Sequence, residues 1–161
     1  MEKYSGEWYE ISSDWWFPAP FLGGDCTKAT YTPIFDGTIT VLNETYTWFA
    51  GDFAMEGAAI VSDTGDASLN VEFGDVPSAS ATPNYTVLST DYETYAVVYS
   101  CDNEGWYAND YFWILSRTPE LSDDKMLEIL AIVAEKLPSY DYFNTQVMTR
   151  QDDTCFWAKM E

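Results

Sequence analysis

At 161 residues the chain has the length of one domain, and its 17% aromatic content (seven Trp, twelve Tyr, nine Phe) is more ring surface than a core of this size uses, so some rings are expected to line a cavity or a contact surface. Twenty-seven acidic residues against seven basic ones give a formal charge of −20, which excludes nucleic acid as a partner and repels anionic membranes. The absence of histidine excludes Ser-His and Cys-His nucleophiles, and no apolar run approaches the roughly twenty residues that span a bilayer.

In chain order, stretches rich in β-branched and aromatic residues alternate with Gly, Pro, Asp and Asn, which predicts eight strands at 6–14, 26–34, 38–48, 53–62, 68–73, 84–90, 94–102 and 111–117. Their connections are hairpin-sized, as in "FDGT" and "DTGD", where Asp and Gly tolerate the positive φ of tight turns, so neighbouring strands should run antiparallel. A helix is predicted over 122–137: Ser122 caps it, Asp123 and Asp124 suit the positive end of its dipole, and Pro138 stops it. Met126, Ile129, Leu130, Val133 and Leu137 form its apolar stripe. A last short strand and the tail occupy 144–161.

This order predicts an all-β fold: an eight-stranded antiparallel up-and-down β-barrel with one C-terminal α-helix packed outside, with 1–161 as a single domain. Closure removes exposed strand edges, and a barrel of about eight strands is just wide enough to hold one small ligand. A β-sandwich is the alternative, but it needs Greek-key connections longer than these loops.

Three blocks carry a family resemblance: "GEWYEI" at 6–11, "STDYETYAVVYSC" at 89–101 and "FWILSR" at 112–117. Their order and spacing resemble the lipocalin family over nearly the whole chain, nearest to the group of apolipoprotein D, the insect bilin-binding proteins and the crustacyanins. The resemblance implies structural roles for Gly6, Trp8, Thr90, Asp91 and Arg117. The residues read the same way: a guanidinium stacked on an indole contributes about 0.5–1 kcal/mol when exposed and more when desolvated. Thr90 and Asp91 are turn formers. The alternative for Arg117 is a grip on an anionic ligand. In the resembling group the cysteine before "TKATY" pairs with the C-terminal one, which implies a Cys26–Cys155 disulfide here. The match to Cys101 pairs in relatives with a cysteine upstream of the Gly-x-Trp block, so Cys101 is expected to be the odd thiol of a secreted chain whose signal peptide and N-terminal segment are not in this sequence.

Relatives also suggest a wall. Trp113 matches an inward position, and alternation then turns Tyr111 inward as well. Tyr31, Asn43, Thr45, Phe53, Met55, Val71, Phe73, Tyr85 and Val87 match further inward positions, whose other reading is a solid core. On the seventh strand Val98 and Ser100 would face in and Cys101 out. "SSDWWFPAPFLGG" matches the long first loop of lipocalins, where Trp15, Trp16 and Phe17 would cover a ligand or a partner rather than plug the barrel.

The scarcity of cations argues for a neutral ligand, since an unpaired buried carboxylate costs several kcal/mol. Lys3, Lys125, Lys136 and Lys159 fall on termini or helix, Arg150 on the last strand, and Lys28 alone is a candidate cation inside. The crustacyanins of the resembling group bind astaxanthin, so a non-covalent carotenoid is the expected ligand of a coloured carrier. Biliverdin, a sterol, a retinoid or a fatty acid is the runner-up. A subunit of a pigment-protein assembly, homo- or hetero-oligomeric, is the reading from another class. A cysteine-dependent isomerase, as among lipocalin prostaglandin synthases, requires an inward Cys101, so no enzyme, covalent cofactor or metal is expected. Sequons stand at Asn43 and Asn84; Asn84 is the better glycan acceptor because Asn43 should face the cavity.

Overall fold

A computed structural model of the chain describes residues 2–15, 24–34, 37–47, 50–64, 66–74, 78, 81–103 and 108–159. Nine antiparallel strands form one sheet: β1 (Gly6–Asp14), β2 (Asp25–Pro33), β3 (Thr38–Thr47), β4 (Gly51–Val61), β5 (Ser68–Glu72), β6 (Tyr85–Thr90), β7 (Tyr95–Asn103), β8 (Ala108–Ser116) and β9 (Gln146–Met148). Neighbours pair in chain order from β2 to β8, and β1 pairs with β8 on one side and β2 on the other. The sheet therefore closes into an eight-stranded antiparallel barrel, with β9 added to the outer half of β1.

The interior below the cavity is packed solid. Tyr4, Trp8, Tyr31, Ile39, Val41, Ala59, Leu69, Ala96, Val98 and Leu115 form one buried cluster. A second cluster lies outside the barrel, where Ile11, Tyr95, Val97, Phe112 and Ile114 meet Ile129 and Val133 of helix α1 (Asp123–Lys136). Both faces of β7 are thus buried, which explains why 95–98 reads as unbroken apolar sequence. The Ser122 hydroxyl accepts from Lys125 N–H at the start of α1. Met126, Ile132 and Leu137 pack half-buried against the outer cluster; Ile132 was absent from the predicted stripe, and Leu130 is also half-buried. Three pieces too short for periodicity to reveal complete the fold: 3-10 turns at Glu2–Tyr4 and Phe156–Lys159, and the one-turn helix α2 (Tyr142–Thr145).

One end of the barrel is closed by charge-assisted bonds. The Arg117 guanidinium carbon lies 3.6 Å from the ring centroid of the fully buried Trp8. Its nitrogens donate to the carbonyls of Glu7 (2.7 Å), Lys3 (3.1 Å) and Tyr92 (3.1 Å). Trp8 Nε1 donates to the Tyr4 carbonyl at 2.8 Å, holding the first 3-10 turn under the barrel. At Gly6, with φ +98°, a Cβ would stand 3.3 Å from Arg117 Nη1, so only glycine suits both the backbone and the space. The adjoining β6–β7 turn is bound by Asp91, which accepts from the N–H groups of Glu93, Thr94 and Tyr95. Burial opposes its charge, but these donors and the Thr94 hydroxyl outweigh it and lower the Asp91 carboxyl to about 2.

At the other end, Cys26 and Cys155 form a disulfide across a sequence separation of 129 residues, tying the start of β2 to the tail. Cys101 is exposed on β7 and lies outside this bond.

Two outcomes follow for stability. Arg117→Met should cost about 3 kcal/mol in urea unfolding, because a stacked guanidinium and bonds to three carbonyls disappear together. Arg117→Lys should recover little of it, since an ammonium lacks the planar fork. Reduction, or the double change Cys26→Ser with Cys155→Ser, should cost roughly 2–5 kcal/mol in the same measurement.

Candidate functional site

The barrel holds a cavity of about 480 Å³ above its packed floor. This lies within the roughly 300–1,000 Å³ typical of small-molecule sites. Strand alternation builds its wall. On β2, Thr27, Ala29 and Tyr31 face in; on β3, Val41, Asn43 and Thr45 do; Tyr111, Trp113 and Leu115 do so on β8, and Ser100 on β7. On β1 the alternation is broken. Glu10 pairs with Leu115 and Ser13 with Trp113, and the irregularity between them turns the intervening Ile11 and Ser12 away from the cavity. Glu10 and Ser13 therefore both reach the cavity although three residues separate them, and uniform alternation could not have found Ser13.

The floor is phenolic. Tyr31 donates its hydroxyl to Tyr85 Oη at 2.9 Å, and the Tyr85 and Tyr4 hydroxyls share a bond of 2.8 Å. Burial pushes all three phenols up, Tyr31 to about 12, so the floor is neutral at any ordinary pH. Nearer the open end the wall is polar: the Thr27 and Thr45 hydroxyls are bonded at 2.8 Å, and Glu10 Oε1 accepts from Ser13 (2.9 Å) and Thr149 (2.5 Å). Burial raises the Glu10 carboxyl, and these two donors only partly offset it. Asn43 Oδ1 is buried with no hydrogen-bond partner.

Of the residues expected on the wall, Tyr31, Asn43, Thr45, Val71, Phe73, Tyr85, Tyr111 and Trp113 border the cavity. Val87 and Val98 lie in or against the inner packed cluster. Phe53 and Met55 share the face of Thr45 and Asn43 by register but do not border the cavity. At Gly57, farther along β4, a Cβ would fall 2.6 Å from the Phe73 ring, so Phe73 and not β4 forms the wall at that level. Trp8 is both a structural residue at the closed end and part of the cavity lining. Trp15 is 44% exposed and its N–H donates to the Thr145 carbonyl; Trp16 and Phe17 lie outside the described residues.

Lys28, the one candidate for a cation inside, does not border the cavity. It alternates with the inward Thr27 and Ala29, and its ammonium instead meets Glu7 at 2.7 Å and Glu44 at 3.5 Å. Burial works against its charge, but the two carboxylates prevail and raise its pKa. Among the described residues no Lys or Arg borders the cavity. The sequons are also committed: Asn43 is on the wall, and the Asn84 carboxamide accepts from Val71 N–H (2.9 Å) and donates to Val71 O (2.8 Å), extending β5 in place of a backbone partner.

Residues 1–151 match the family model described as a lipocalin-like domain. The chain is 34% identical over 157 residues to apolipoprotein D of Rattus norvegicus, covering 96% of this chain and 78% of that protein. It is 36% identical over 163 residues to temperature-induced lipocalin-1 of Arabidopsis thaliana, covering 96% and 80%. Among solved structures, lobster apocrustacyanin A1 superposes with a TM-score of 0.78 at 21% identity, over 98% of this chain and 83% of that one, which is a likeness of fold.

The cavity carboxyl sets a pH dependence. Because burial raises the folded-state pKa of Glu10, its contribution to stability is full below the unfolded value and is lost as pH rises through the folded one. Glu10→Gln keeps an oxygen to accept from Ser13 and Thr149, so it should be more stable than the parent at neutral pH and lose that advantage toward acid. Urea midpoints across that range check it.

Proposed function

Since the chain belongs to the lipocalin family and so is a binding and transport protein for small hydrophobic ligands, we propose that its ligand is neutral and elongated, best a carotenoid such as astaxanthin held without a covalent bond. The observation that carries this reading is the charge of the wall. Two carboxylic acids, Glu10 and Glu44, line the cavity, Glu44 paired with Lys28, and no cation does among the described residues. Four of the chain's seven cations are engaged elsewhere: Lys28 with Glu7 and Glu44, Lys125 with Glu128, Arg150 with Asp25 and Asp152, Arg117 on Trp8. An anionic ligand would enter unpaired, through the field of a chain of charge −20.

Phenols on the floor and hydroxyl and carboxamide groups higher up suit keto and hydroxy ends, and the apolar middle suits a polyene. The sequence resemblance to the crustacyanins favours a carotenoid over a sterol or a retinoid, and biliverdin and fatty acids rank lower because they are acids. The disulfide suits a secreted chain. The site has no catalytic role in this reading: the thiol of Cys101 is exposed on the outside of the barrel, away from the cavity wall.

A second reading, a subunit of a pigment-protein assembly, is favoured by one observation. Trp15, Val147, Met148 and Phe143 are 44%, 42%, 64% and 84% exposed around and just before β9, a concentration of apolar side chains that suits a protein contact. No helix among the described residues is long and apolar enough to cross a membrane.

Visible absorption spectra of the purified protein, before and after incubation with astaxanthin or biliverdin, test the ligand class. Astaxanthin should shift its band on binding, and biliverdin should not. A shift with biliverdin alone would replace the neutral reading with a bilin carrier.

A further inference from the structure

We infer that this cavity also takes an amphipathic amine, with Glu10 as the counter-ion of its ammonium group, and binds it more tightly than a neutral ligand of the same shape. The inference goes beyond the neutral ligand proposed above and shares with it the cavity as the place of binding.

Among the described residues the wall is acidic and aromatic and carries no base. Glu10 and Glu44 border it, no Lys or Arg does, and the chain around it has a charge of −20. Lys28 meets Glu44 and Glu7, and no ion pair among the described residues reaches Glu10. Both hydrogen bonds to the Glu10 carboxyl, from Ser13 and Thr149, fall on Oε1. Oε2 accepts nothing among the described residues and keeps accessible surface. A bond from an ammonium to such an oxygen is charge-assisted and about twice as strong as one between neutral groups.

The neighbours of Glu10 suit the rest of an ammonium group. Gln151 Nε2 donates to the carbonyls of both Glu10 and Thr27, at 2.9 and 2.7 Å, so Thr27, and Thr45 through its 2.8 Å bond, stand beside Glu10. On the other side the β1–β8 ladder sets Ser13 opposite Trp113, whose ring centroid is 6.1 Å from that of Tyr111. All of these residues line the cavity. Hydroxyl oxygens accept the remaining N–H groups, and aromatic faces attract a cation, more strongly where water is excluded. Burial holds the Glu10 carboxyl toward its protonated form, whereas an ammonium beside it favours the ionised form, so the proton that Glu10 gives up passes to solvent as the amine binds.

Decylamine, decanol and decanoate test this, since they share one alkyl chain and differ in the charge of the head. Binding is read by titration calorimetry with the full chain near neutral pH in about 0.15 M salt, which screens the field of the exposed acids. Decylamine should bind about tenfold more tightly than decanol, and decanoate more weakly than either. In Glu10→Gln, which keeps an oxygen to accept from Ser13 and Thr149, decylamine and decanol should bind alike. Equal binding of the two to the parent protein, or no binding of decylamine, would overturn the inference and leave the carrier reading to its own test with astaxanthin. Retention of the tenfold preference in Glu10→Gln would overturn the assignment to Glu10. Binding of none of the three, nor of astaxanthin, would overturn the carrier reading itself and this inference with it. The comparison on the parent protein does not depend on how well the variant folds.

Discussion

Closure of the sheet depends on β1, nine residues that serve three neighbours. Its first residues pair with β2, its other edge pairs with β8, and its last three residues pair with β9. A strand that changes partner along its length needs a point of adjustment, and the irregularity between Glu10 and Ser12 supplies it. The consequences run in both directions through the wall. Inward, Glu10 and Ser13 reach the cavity. Outward, Asp14 is buried and accepts from Tyr140 Oη and Phe112 N–H, each at 2.6 Å, so the segment after α1 is fastened to the same strand that closes the barrel.

The barrel is solid at one end and hollow at the other, and the chemistry of each end follows its task. At the solid end, Arg117 gains a desolvated aromatic face and three carbonyls, so a charge is kept where it has full compensation. In the hollow part most groups are neutral or held toward neutrality: phenols whose pKa burial raises, threonine hydroxyls, a carboxamide, and the Glu10 carboxyl shifted toward its protonated form, while Glu44 at the edge of the cavity is paired with Lys28. Of the acidic residues only Glu10 and Glu44 border the cavity among the described residues, and the ion pairs of Lys28, Lys125 and Arg150 hold three of the chain's seven cations outside it. Among the described residues, the cavity so arranged offers no cation to a buried anion.

Much of this was readable from residues. The apolar run 95–98 and the Gly6, Trp8 and Arg117 blocks placed the barrel and its closed end, because they record burial on both faces and a stacking pair that needs room beside it. Strand ends came out within about three residues, as expected where turn chemistry is local. Other features had no local signal. Ser13 entered the cavity through an irregularity, Phe73 displaced β4 from the wall by lying over Gly57, and Lys28 turned to Glu7 and Glu44. Each depends on a residue far away in the chain or on a change in alternation that composition does not reveal.

By itself, the sequence determined the fold class, the helix and its cap and the lack of cations available to a buried anion, since these follow from periodicity, turn residues and composition, while the closing stack followed from the family resemblance that the Gly6–Trp8 and Arg117 blocks carry. Only the tertiary structure decided the depth and volume of the cavity, which side chains satisfy one another across it, and that Asn43 Oδ1 is left over. Hydrogen-bond satisfaction is a property of the closed barrel: it depends on which strands stand opposite, and that is set when β1 meets β2 and β8.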